Sequence, residues 1–468
     1  MVIEDKLYKY LKFYYSSPKL IRNLSGKLYS KLPLSFRYGA TYKYYSKLLK
    51  TSPYFSSEQK SNYTIENLKN TFINAFENTK YYNELFQEVN FDPYGFNNLN
   101  QIMKIPLSDK DTLRKNKKSI INHIIPKSKL LYTTTGGTSG VPVEVYYVKG
   151  RERSREIAFI QNLWNRIGYK EGDKIIRLRG NVVDQGEDIF HKYEPIKNRL
   201  LLSTYDMHEE NFEKYTRLIT EFKPKFIHAY PSSISPLAKF CKEKNIQLPK
   251  LKGILCSSEQ FYPSQRELIE EVFSTRVFSF YGHTEATTLA GECETSNNYH
   301  LFFEYGYTEL IDENKNVITK PGQLGEIVGT SYEMIGFPII RYKTGDFAMY
   351  ADNMCSCGRN YTIISNLKGR RLQEQIISNK GHGISLTALN MHSDIFDNVI
   401  QYQFYQKEIG KVQLRIVKGI TFSIQDEQKI RKEFKLKLKD LVRLDISYVN
   451  RINPTKNGKH KYLVQELN

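Results

Sequence analysis

The chain has 468 residues and a formal net charge of +19, with 40% hydrophobic and 13% aromatic residues. This composition excludes an intrinsically disordered chain and supplies enough apolar material for two or three domains. The positive charge lies mainly at the two ends, because residues 1–50 carry 11 basic and 2 acidic side chains and residues 371–468 carry 17 and 10. The nearly neutral central body argues against a nucleic-acid binder, whose basic side chains would cover its main surface.

The cysteine content and the first residues predict a cytoplasmic protein. Five cysteines, an odd number in a long chain, do not match the disulfide framework of a secreted domain. Glu4 and Asp5 lie where a signal peptide needs positive charge, and no apolar run approaches the roughly 18 residues of a membrane span. We therefore expect a protein that is not integral to a membrane.

Residues 1–60 form a basic, aromatic and helical N-terminal segment. Tyrosine and phenylalanine alternate with lysine over residues 8–15, and a second helical pattern runs through residues 42–49. One interpretation is peripheral docking of residues 1–50 on the inner membrane face or on a complex, where each Lys or Arg near an anionic surface contributes about 1 kcal/mol. The other is that the aromatic side chains pack on the main domain and the lysines are solvated.

The remaining chain predicts an α/β protein of two domains. Residues 61–370 alternate buried strands, such as 226–230 and 253–256, with helical patterns, and this alternation predicts parallel α/β layers. After residue 302, alternating strand patterns separated by turns predict an attached, mainly antiparallel β subdomain. Residues 371–468 predict a small α+β domain with strands at 399–405 and 411–417 and a basic helix at 425–441.

A loop rich in glycine and hydroxyl groups, Thr133–Pro142, is the first segment with chemical content. It follows an apolar pair and leads into a strand pattern at 143–147. Glycines let the backbone amides turn toward an anion and the hydroxyls add neutral donors, so the loop can hold a polyphosphate. It is not a Walker A motif, because the GK[ST] ending is missing. A simple hairpin connection explains this loop equally well when it is considered alone.

Four further segments follow the loop in order: YGHTEA after a strand at 277–280, RYKTGD at 341–346, the Gly369–Arg370 pair, and TKNGK at 455–459. Together the five segments resemble the adenylate-forming superfamily of acyl-CoA synthetases, from about residue 95 to the end of the chain. Within it, the segments HAYPSS, SSEQFYP, AGECE and QYQF are most similar to the phenylacetate-CoA ligase branch and its capsular polysaccharide biosynthesis relatives. The resemblance implies a large adenylate-forming domain with a small mobile C-terminal domain.

The resemblance also implies a role for the residues of the loop. Thr135, Thr138 and Ser139, together with Gly137 and Gly140, would hold the β- and γ-phosphates of ATP. Two positions depart from the family pattern, because Gly136 replaces a usual Ser or Thr and Val143 replaces a usual Lys.

A second group implied by the resemblance surrounds the nucleoside. Tyr281, followed by Gly282 and Thr284, would stack on adenine, a use that needs a flat apolar face. Glu285 would bind Mg²⁺, a cation that prefers oxygen ligands. Asp346, which we expect at the end of a strand, would accept hydrogen bonds from the two ribose hydroxyls. The alternatives are a core position for Tyr281 and a turn position for Asp346.

A third group would complete the nucleotide site. Arg370 would contact the ribose and phosphate, and Lys459 would bridge the substrate carboxylate and the α-phosphate, where negative charge gathers during attack. Lys459 also has many lysine neighbours, which leaves a solvated surface position open. Glu259 resembles a family residue near adenine, or caps a helix. At Leu372 the family hinge usually has Asp, so adenylation is better supported than the CoA half-reaction.

Four residues form a candidate metal site. Cys355 and Cys357 lie on one tight turn and Cys293 precedes His300 by seven residues, a set that could supply a tetrahedral Cys₃His zinc site. Some phenylacetate-CoA ligase relatives have Cys and His here in the same order, so the resemblance implies a structural metal. The alternative is reduced thiols beside an ordinary histidine.

The sequence therefore leads to two functional hypotheses. The first is an ATP- and Mg²⁺-dependent ligase that converts a carboxylic acid to acyl-AMP with release of pyrophosphate. The acyl group then passes to CoA, or to a sugar or other acceptor in surface polysaccharide biosynthesis. The second is a catalytically silent nucleotide-binding scaffold docked on a membrane-associated complex. Nothing in the sequence identifies the acid, the final acceptor or the oligomeric state, and no module supports nucleic-acid binding.

Overall fold

The structure is a computed structural model, and it describes all residues except 1, 3–9, 135–142, 181–182, 184–189, 205–208, 260, 262, 353–354, 370–374, 387–388, 390–394, 397, 420, 451, 453–461 and 468. The described α-helices are α1 Leu11–Ser16, α2 Lys19–Ser30, α3 Leu34–Leu48, α4 Ser57–Asn78, α5 Lys80–Glu88, α6 Lys110–Lys115, α7 Lys117–Ile120, α8 Glu152–Asn165, α9 Glu209–Phe222, α10 Pro231–Glu243, α11 Pro263–Phe273 and α12 Ile424–Leu438. In the described part of the chain, no helix is both long enough and apolar enough to cross a bilayer.

The strands, also in chain order, are β1 Leu130–Thr134, β2 Glu144–Val148, β3 Ile175–Leu178, β4 His191–Glu194, β5 Arg199–Leu202, β6 Phe226–Ala229, β7 Gly253–Ser257, β8 Val277–Gly282, β9 Leu289–Glu292, β10 Tyr299–Leu301, β11 Gly306–Ile311, β12 Leu324–Ser331, β13 Tyr342–Tyr350, β14 Thr362–Lys368, β15 Gln375–Ile377, β16 Gly383–Ser385, β17 Val399–Glu408, β18 Lys411–Lys418, β19 Arg443–Tyr448 and β20 Leu463–Gln465.

One twelve-stranded sheet forms the centre of the molecule, in the order β11-β12-β13-β14-β10-β9-β8-β7-β6-β3-β5-β4. Strands β5, β3, β6, β7 and β8 are parallel neighbours. Strands β6 and β7 are buried at every position, as expected for parallel strands covered on both faces. The predicted α/β class and the alternation of strands and helices are confirmed.

The antiparallel part is continuous with the parallel part rather than a separate unit attached to it. The junction is the antiparallel pair β8–β9, in which Tyr281 lies opposite Ala290. Because hydrogen bonding continues across this pair, residues from the parallel and the antiparallel parts belong to one sheet. Residues 277–282 and 342–350 are thereby placed in the same sheet.

The N-terminal segment divides into two parts with different surroundings. Tyr38, Tyr42, Tyr45 and Leu49, on or just after α3, are buried in the largest hydrophobic cluster of the molecule. Hydrogen bonds reinforce this contact, since the Tyr45 hydroxyl donates to Glu333 Oε1 at 2.8 Å. Three tyrosines of α3 therefore pack on the main domain, whereas α2 exposes apolar side chains.

The C-terminal elements form a compact α+β unit. Its four-stranded sheet has the order β19-β18-β17-β20, and α12 packs on it through Ile430, Phe434 and Leu438. The predicted strands at 399–405 and 411–417 and the predicted helix at 425–441 are confirmed within a few residues. Tyr230, at the end of β6, is buried in the same hydrophobic cluster and so links this unit to the large sheet.

Candidate functional site

The segment that leaves β8 brings several predicted site residues together. Tyr281 and Gly282 are the last residues of β8, and Thr284 and Glu285 follow in a turn. The Tyr281 hydroxyl donates to Asp346 Oδ2 at 3.0 Å, which joins two residues that are 65 positions apart in the sequence. This contact lies at the carboxyl end of a parallel strand, where ligands bind in open α/β sheets.

Glu285 is a buried carboxylate held by two neighbours. Tyr342 donates its hydroxyl hydrogen to Oε1 at 2.6 Å, and Nδ1 of His283 lies 3.2 Å from Oε2. Burial alone would raise the pKa of Glu285, but the hydrogen bond and charge of His283, the charge of Lys110 and the Tyr342 hydroxyl hold that pKa well below its usual range. Glu285 is therefore a fixed negative charge, suited to a hard cation.

Asp346 lies inside β13 and not at the end of a strand, so the sequence expectation was wrong on this point. In the pairing of β12 with β13, Val328 lies opposite Lys343 and Glu326 lies opposite Phe347. The register shifts between these two pairs, and the resulting bulge in β13 contains Asp346. Gly345, with φ of +72°, provides the left-handed backbone at this point. Bulges of this kind redirect a side chain within a continuous strand.

Three non-glycine residues beside the site have positive φ angles. Ser258 precedes Glu259 with φ of +69°, Ala286 follows Glu285 with φ of +52°, and Arg341 precedes Tyr342 with φ of +46°. Such conformations cost free energy and cluster where side chains must be aimed at a ligand. These three residues lie beside Glu259, Glu285 and Tyr342, in the same region as the hydrogen bonds described above.

The predicted phosphate loop, including Thr135, Gly137, Thr138, Ser139 and Gly140, lies outside the described residues. Its two flanks are described and form the antiparallel ribbon β1–β2, in which Thr134 pairs with Glu144. The Tyr147 hydroxyl, on β2, donates to the carbonyl oxygen of Thr284 at 2.5 Å. The β1–β2 ribbon is thus anchored on the turn that carries Glu285.

Arg370 and Lys459 also lie outside the described residues, so their roles stay predictions. Glu259 is half-buried after β7, and its negative charge reaches Tyr230, whose pKa is raised mainly by burial. Helix α11 begins at Pro263, four residues later, so Glu259 is not at the N-cap position. Its proposed place near adenine stays a prediction.

Sequence reasoning missed His283 and Tyr342, the two residues that hold Glu285. Both lie inside motifs that were recognised, YGHTEA and RYKTGD, but they act by holding Glu285 and have no contact role in the motifs themselves. Their place in the sequence could have identified them, because each lies in the same motif as a residue with a predicted role.

The four candidate metal ligands come together in space. The ligand atoms of Cys293, His300, Cys355 and Cys357 all lie within 4.8 Å of one another. Cys293 Sγ and Cys355 Sγ are 3.5 Å apart, and Cys357 Sγ is 4.0 Å from His300 Nε2. Tetrahedral zinc, with bonds of roughly 2.0–2.3 Å, places its ligand atoms about 3.3–3.8 Å apart, so the set fits that metal.

The surroundings of the cluster fit a metal in two further ways. His300 is fully buried and turns its Nε2 toward Cys357. Burial and the nearby Arg166 and Arg359 lower the pKa of His300 to about 4, which leaves the imidazole neutral and able to coordinate. Arg359 also pairs with Glu294 at 2.5 Å and so shields the thiols from one side.

Comparisons with known proteins agree with this arrangement. Residues 376–466 match the family model described as the CapK C-terminal domain. The chain is 25% identical to "Protein CapK" of Staphylococcus aureus over 97% of its length and 99% of that protein. The predicted resemblance is confirmed. It extends to the phenylacetate-coenzyme A ligase of Thermus thermophilus, which is 23% identical over 65% of this chain and 69% of that protein.

The fold is shared with solved CoA ligase structures. 2-Hydroxyisobutyryl-CoA ligase in complex with 2-HIB-AMP and CoA, in the thioesterification state, aligns with a TM-score of 0.58 at 17% identity, covering 88% of this chain and 91% of that chain. The same ligase in the postadenylation state aligns with a TM-score of 0.55 at 18% identity, covering 88% and 90%. The predicted fold class, an adenylate-forming α/β domain with a smaller α+β domain, is confirmed.

Proposed function

We propose that the chain activates a carboxylic acid with ATP and transfers the resulting acyl group to CoA. The observation that carries this proposal is the meeting of Tyr281, Glu285 and Asp346 where β8 and β13 lie in one sheet. These residues are supplied by two separate motifs of the resemblance. Relatives named as CoA ligases support the same reaction class.

In the proposed reaction, a carboxylate oxygen of the substrate attacks the α-phosphorus of ATP. The bond between the α-phosphorus and the bridging oxygen breaks, and pyrophosphate leaves. Glu285 would hold Mg²⁺, which supplies charge neutralisation at the phosphates. Asp346 would accept hydrogen bonds from the ribose hydroxyls, and the Tyr281 ring would lie against adenine. No side chain acts as a nucleophile, so catalysis is positioning and charge stabilisation.

The remaining nucleotide contacts are proposed from the motifs. Residues Thr135, Thr138 and Ser139 would bind the β- and γ-phosphates, a proposal supported by the contact of the neighbouring strand β2 with Thr284. Arg370 would bind ribose and phosphate, and Lys459 would bridge the substrate carboxylate and α-phosphate. The family resemblance also leaves an amino or hydroxyl group of a sugar as an alternative acyl acceptor.

The test is ATP–pyrophosphate exchange with a panel of carboxylic acids, followed by thioester formation with and without CoA. We expect exchange with at least one acid and its reduction by about 10²–10³ in Lys459→Ala. The matched control is Lys432→Ala, on the exposed side of α12, which should retain exchange. Silence of the wild-type protein with every acid would favour the scaffold hypothesis, whereas exchange without thioester formation would favour another acceptor.

We also propose that Cys293, His300, Cys355 and Cys357 bind a structural zinc ion, on the strength of their mutual distances and of the buried His300, whose Nε2 faces Cys357. Purified protein should contain about one equivalent of zinc by elemental mass spectrometry. Cys357→Ser should lose it, whereas Cys241→Ala, a buried cysteine outside the cluster, should keep it. A zinc-free wild-type protein that remains zinc-free after refolding with zinc would refute the site.

Finally, we propose that α2 docks the protein on an anionic membrane surface. The apolar side of this helix faces outward, since Leu20, Ile21, Leu24 and Leu28 are 83%, 59%, 65% and 59% exposed. Its opposite side is buried at Gly26, where an added Cβ would lie 2.8 Å from Pro195. Eleven basic side chains in residues 1–50 complement anionic headgroups.

Sedimentation with vesicles tests this docking. Wild-type protein should bind vesicles with 30% phosphatidylglycerol and not pure phosphatidylcholine, and Leu24→Gln combined with Leu28→Gln should abolish binding. Ile424→Gln, which alters an exposed apolar residue of the C-terminal unit, is the control. The wild-type protein could instead self-associate without binding vesicles. If the α2 substitutions abolish that self-association, this face binds a second copy of the chain.

A further inference from the structure

A cavity of about 220 Å³ lies between α8 and the face of the sheet formed by β3, β5 and β6. This volume equals that of about seven water molecules in the liquid, enough for a small organic acid. Its α8 wall is apolar and includes Ile157, Ile160 and Trp164. Its sheet wall is basic and includes Arg177 on β3 and Arg199 on β5. The two walls thus differ in chemistry.

Most charged groups of this cavity already have a partner. Arg199 forms an ion pair with Glu194, and Glu171 forms one with Arg37 at 3.1 Å. Lys197 donates to the Tyr38 hydroxyl at 2.8 Å.

Two further polar groups of the lining are also engaged. Glu156 accepts a hydrogen bond from the Tyr305 hydroxyl at 2.6 Å, and His228 Nε2 lies 3.0 Å from Nη1 of Arg179.

Arg177 is the exception in this lining. Among the described residues its guanidinium has no hydrogen bond or ion pair, and its Nε is buried without a partner. Burial and the charges of Arg199 and Arg179 lower its pKa to about 9 against the opposing charge of Glu194, so the guanidinium remains charged at neutral pH. Glu194 already forms an ion pair with Arg199, so the half-buried Arg177 has no carboxylate of its own, and an anionic ligand would supply one.

The cavity adjoins the candidate nucleotide site. Glu156 lines the cavity, and the charge of His283 acts on its carboxyl group. His283 in turn contacts Glu285 at 3.2 Å. Helix α8 also contacts the turn directly, because Arg155 Nη2 donates to the carbonyl oxygen of Ala286 at 3.2 Å, so one wall of the cavity is joined to the turn that would hold the metal.

We propose that this cavity holds the acyl part of the acid substrate and that Arg177 binds a second anionic group on it, so that the substrates are small dicarboxylic acids. This inference rests on the proposed ligase function. The apolar α8 wall would contact the methylene groups between the two carboxylates. One carboxylate would be activated, and the other would pair with the Arg177 guanidinium, whose fork of donors matches a carboxylate. A monocarboxylic acid of the same length would leave Arg177 without a partner.

The first experiment compares acids of matched length in pyrophosphate exchange: succinate with butyrate, glutarate with valerate, and adipate with hexanoate. We expect one of the diacids to exceed its partner by about 10-fold to 100-fold, the range for a hydrogen-bonded charge. Arg177→Met should remove that preference, and Arg177→Lys should retain part of it. The control is Arg217→Met, on the exposed side of α9. Equal preference in wild type and Arg177→Met, or a preference for monoacids in wild type, would overturn the inference.

The second experiment separates this inference from the ligase proposal, because it needs neither ATP nor turnover. Thermal unfolding is followed with each acid at millimolar concentration. The preferred diacid should raise the midpoint of wild-type protein and of Arg217→Met but not that of Arg177→Met. If a diacid stabilises the wild-type protein and Arg217→Met but not Arg177→Met, the anion site is supported even when exchange is absent. Absence of any stabilisation by a diacid, or stabilisation that survives in Arg177→Met, counts against it. The midpoint of Arg177→Met without ligand verifies that this variant folds.

Discussion

Removal of Arg341 should destabilise the protein by about 3–5 kcal/mol, because its partner Glu309 would remain as a buried charge without a counterion. The guanidinium donates to both carboxylate oxygens, from Nε to Oε2 at 3.1 Å and from Nη2 to Oε1 at 2.9 Å. Nη1 also donates to the carbonyl oxygen of Ile105 at 2.7 Å. The two side chains are only 4% and 1% exposed, so water cannot replace the lost partner.

The assay is urea unfolding of Arg341→Met, Glu309→Leu and the double variant, followed by the fluorescence of Trp164, the single tryptophan of the chain. Either single substitution leaves one charge unpaired, whereas the double variant removes both. We therefore expect the double variant to recover much of the stability that the single variants lose.

The comparison with an exposed pair gives the scale. Lys411→Met breaks the pair between Lys411 and Glu408, whose side chains are 55% and 64% exposed. Because water screens these charges, stability should change far less than in Arg341→Met. The reasoning would be refuted if the Arg341→Met and Glu309→Leu variants lost equally little stability. It would also be refuted if their losses of stability simply added in the double variant.

Three further predictions concern the surroundings of the site. Burial raises the pKa of Glu152 to about 8, so the folded state holds a proton that the unfolded state releases near pH 4.5. Wild-type stability should therefore fall relative to Glu152→Gln by about 1.4 kcal/mol per pH unit between pH 5 and 8, and parallel pH profiles in unfolding titrations would contradict this. Tyr342→Phe removes a donor to Glu285 and should raise the Mg²⁺ concentration needed for half-maximal exchange about 10-fold to 100-fold, and an unchanged Mg²⁺ titration would argue against that role. Gly329→Ala places a Cβ 2.2 Å from Thr287 Oγ1 and should destabilise the protein by about 1–3 kcal/mol in urea unfolding, and an unchanged unfolding midpoint would contradict this.

The order of elements and the first site residues could be predicted because they depend on local pattern. Strands β6, β7 and β8 are short apolar runs bounded by turn signals, and such runs identify themselves in sequence. Tyr281 and Asp346 were found through motifs, and their 3.0 Å contact follows from the pairing of distant strands. The C-terminal elements were predictable for the same local reason.

Other features depend on packing that no local pattern encodes. The bulge at Asp346 arises from how β12 pairs with β13, so the sequence placed that residue wrongly at a strand end. Arg177 looks like an ordinary strand residue until the partners of its neighbours are known. The split of the N-terminal segment likewise depends on the main domain, because α3 finds a hydrophobic partner there and the outer face of α2 does not.

The candidate zinc ligands have a consequence for how the large sheet assembles. Strand β10 pairs with β14, which follows it by about 60 residues, with His300 opposite Ile363. Closing such a long loop carries an entropic cost that must be met before the strands gain their hydrogen bonds. Cys293 and His300 belong to one side of this closure, and Cys355 and Cys357 to the other. A metal bound by all four would hold the two ends together while the intervening strands β11, β12 and β13 add to the edge. The cluster would then act on the rate at which the chain reaches its native topology, and not only on the stability of the finished fold.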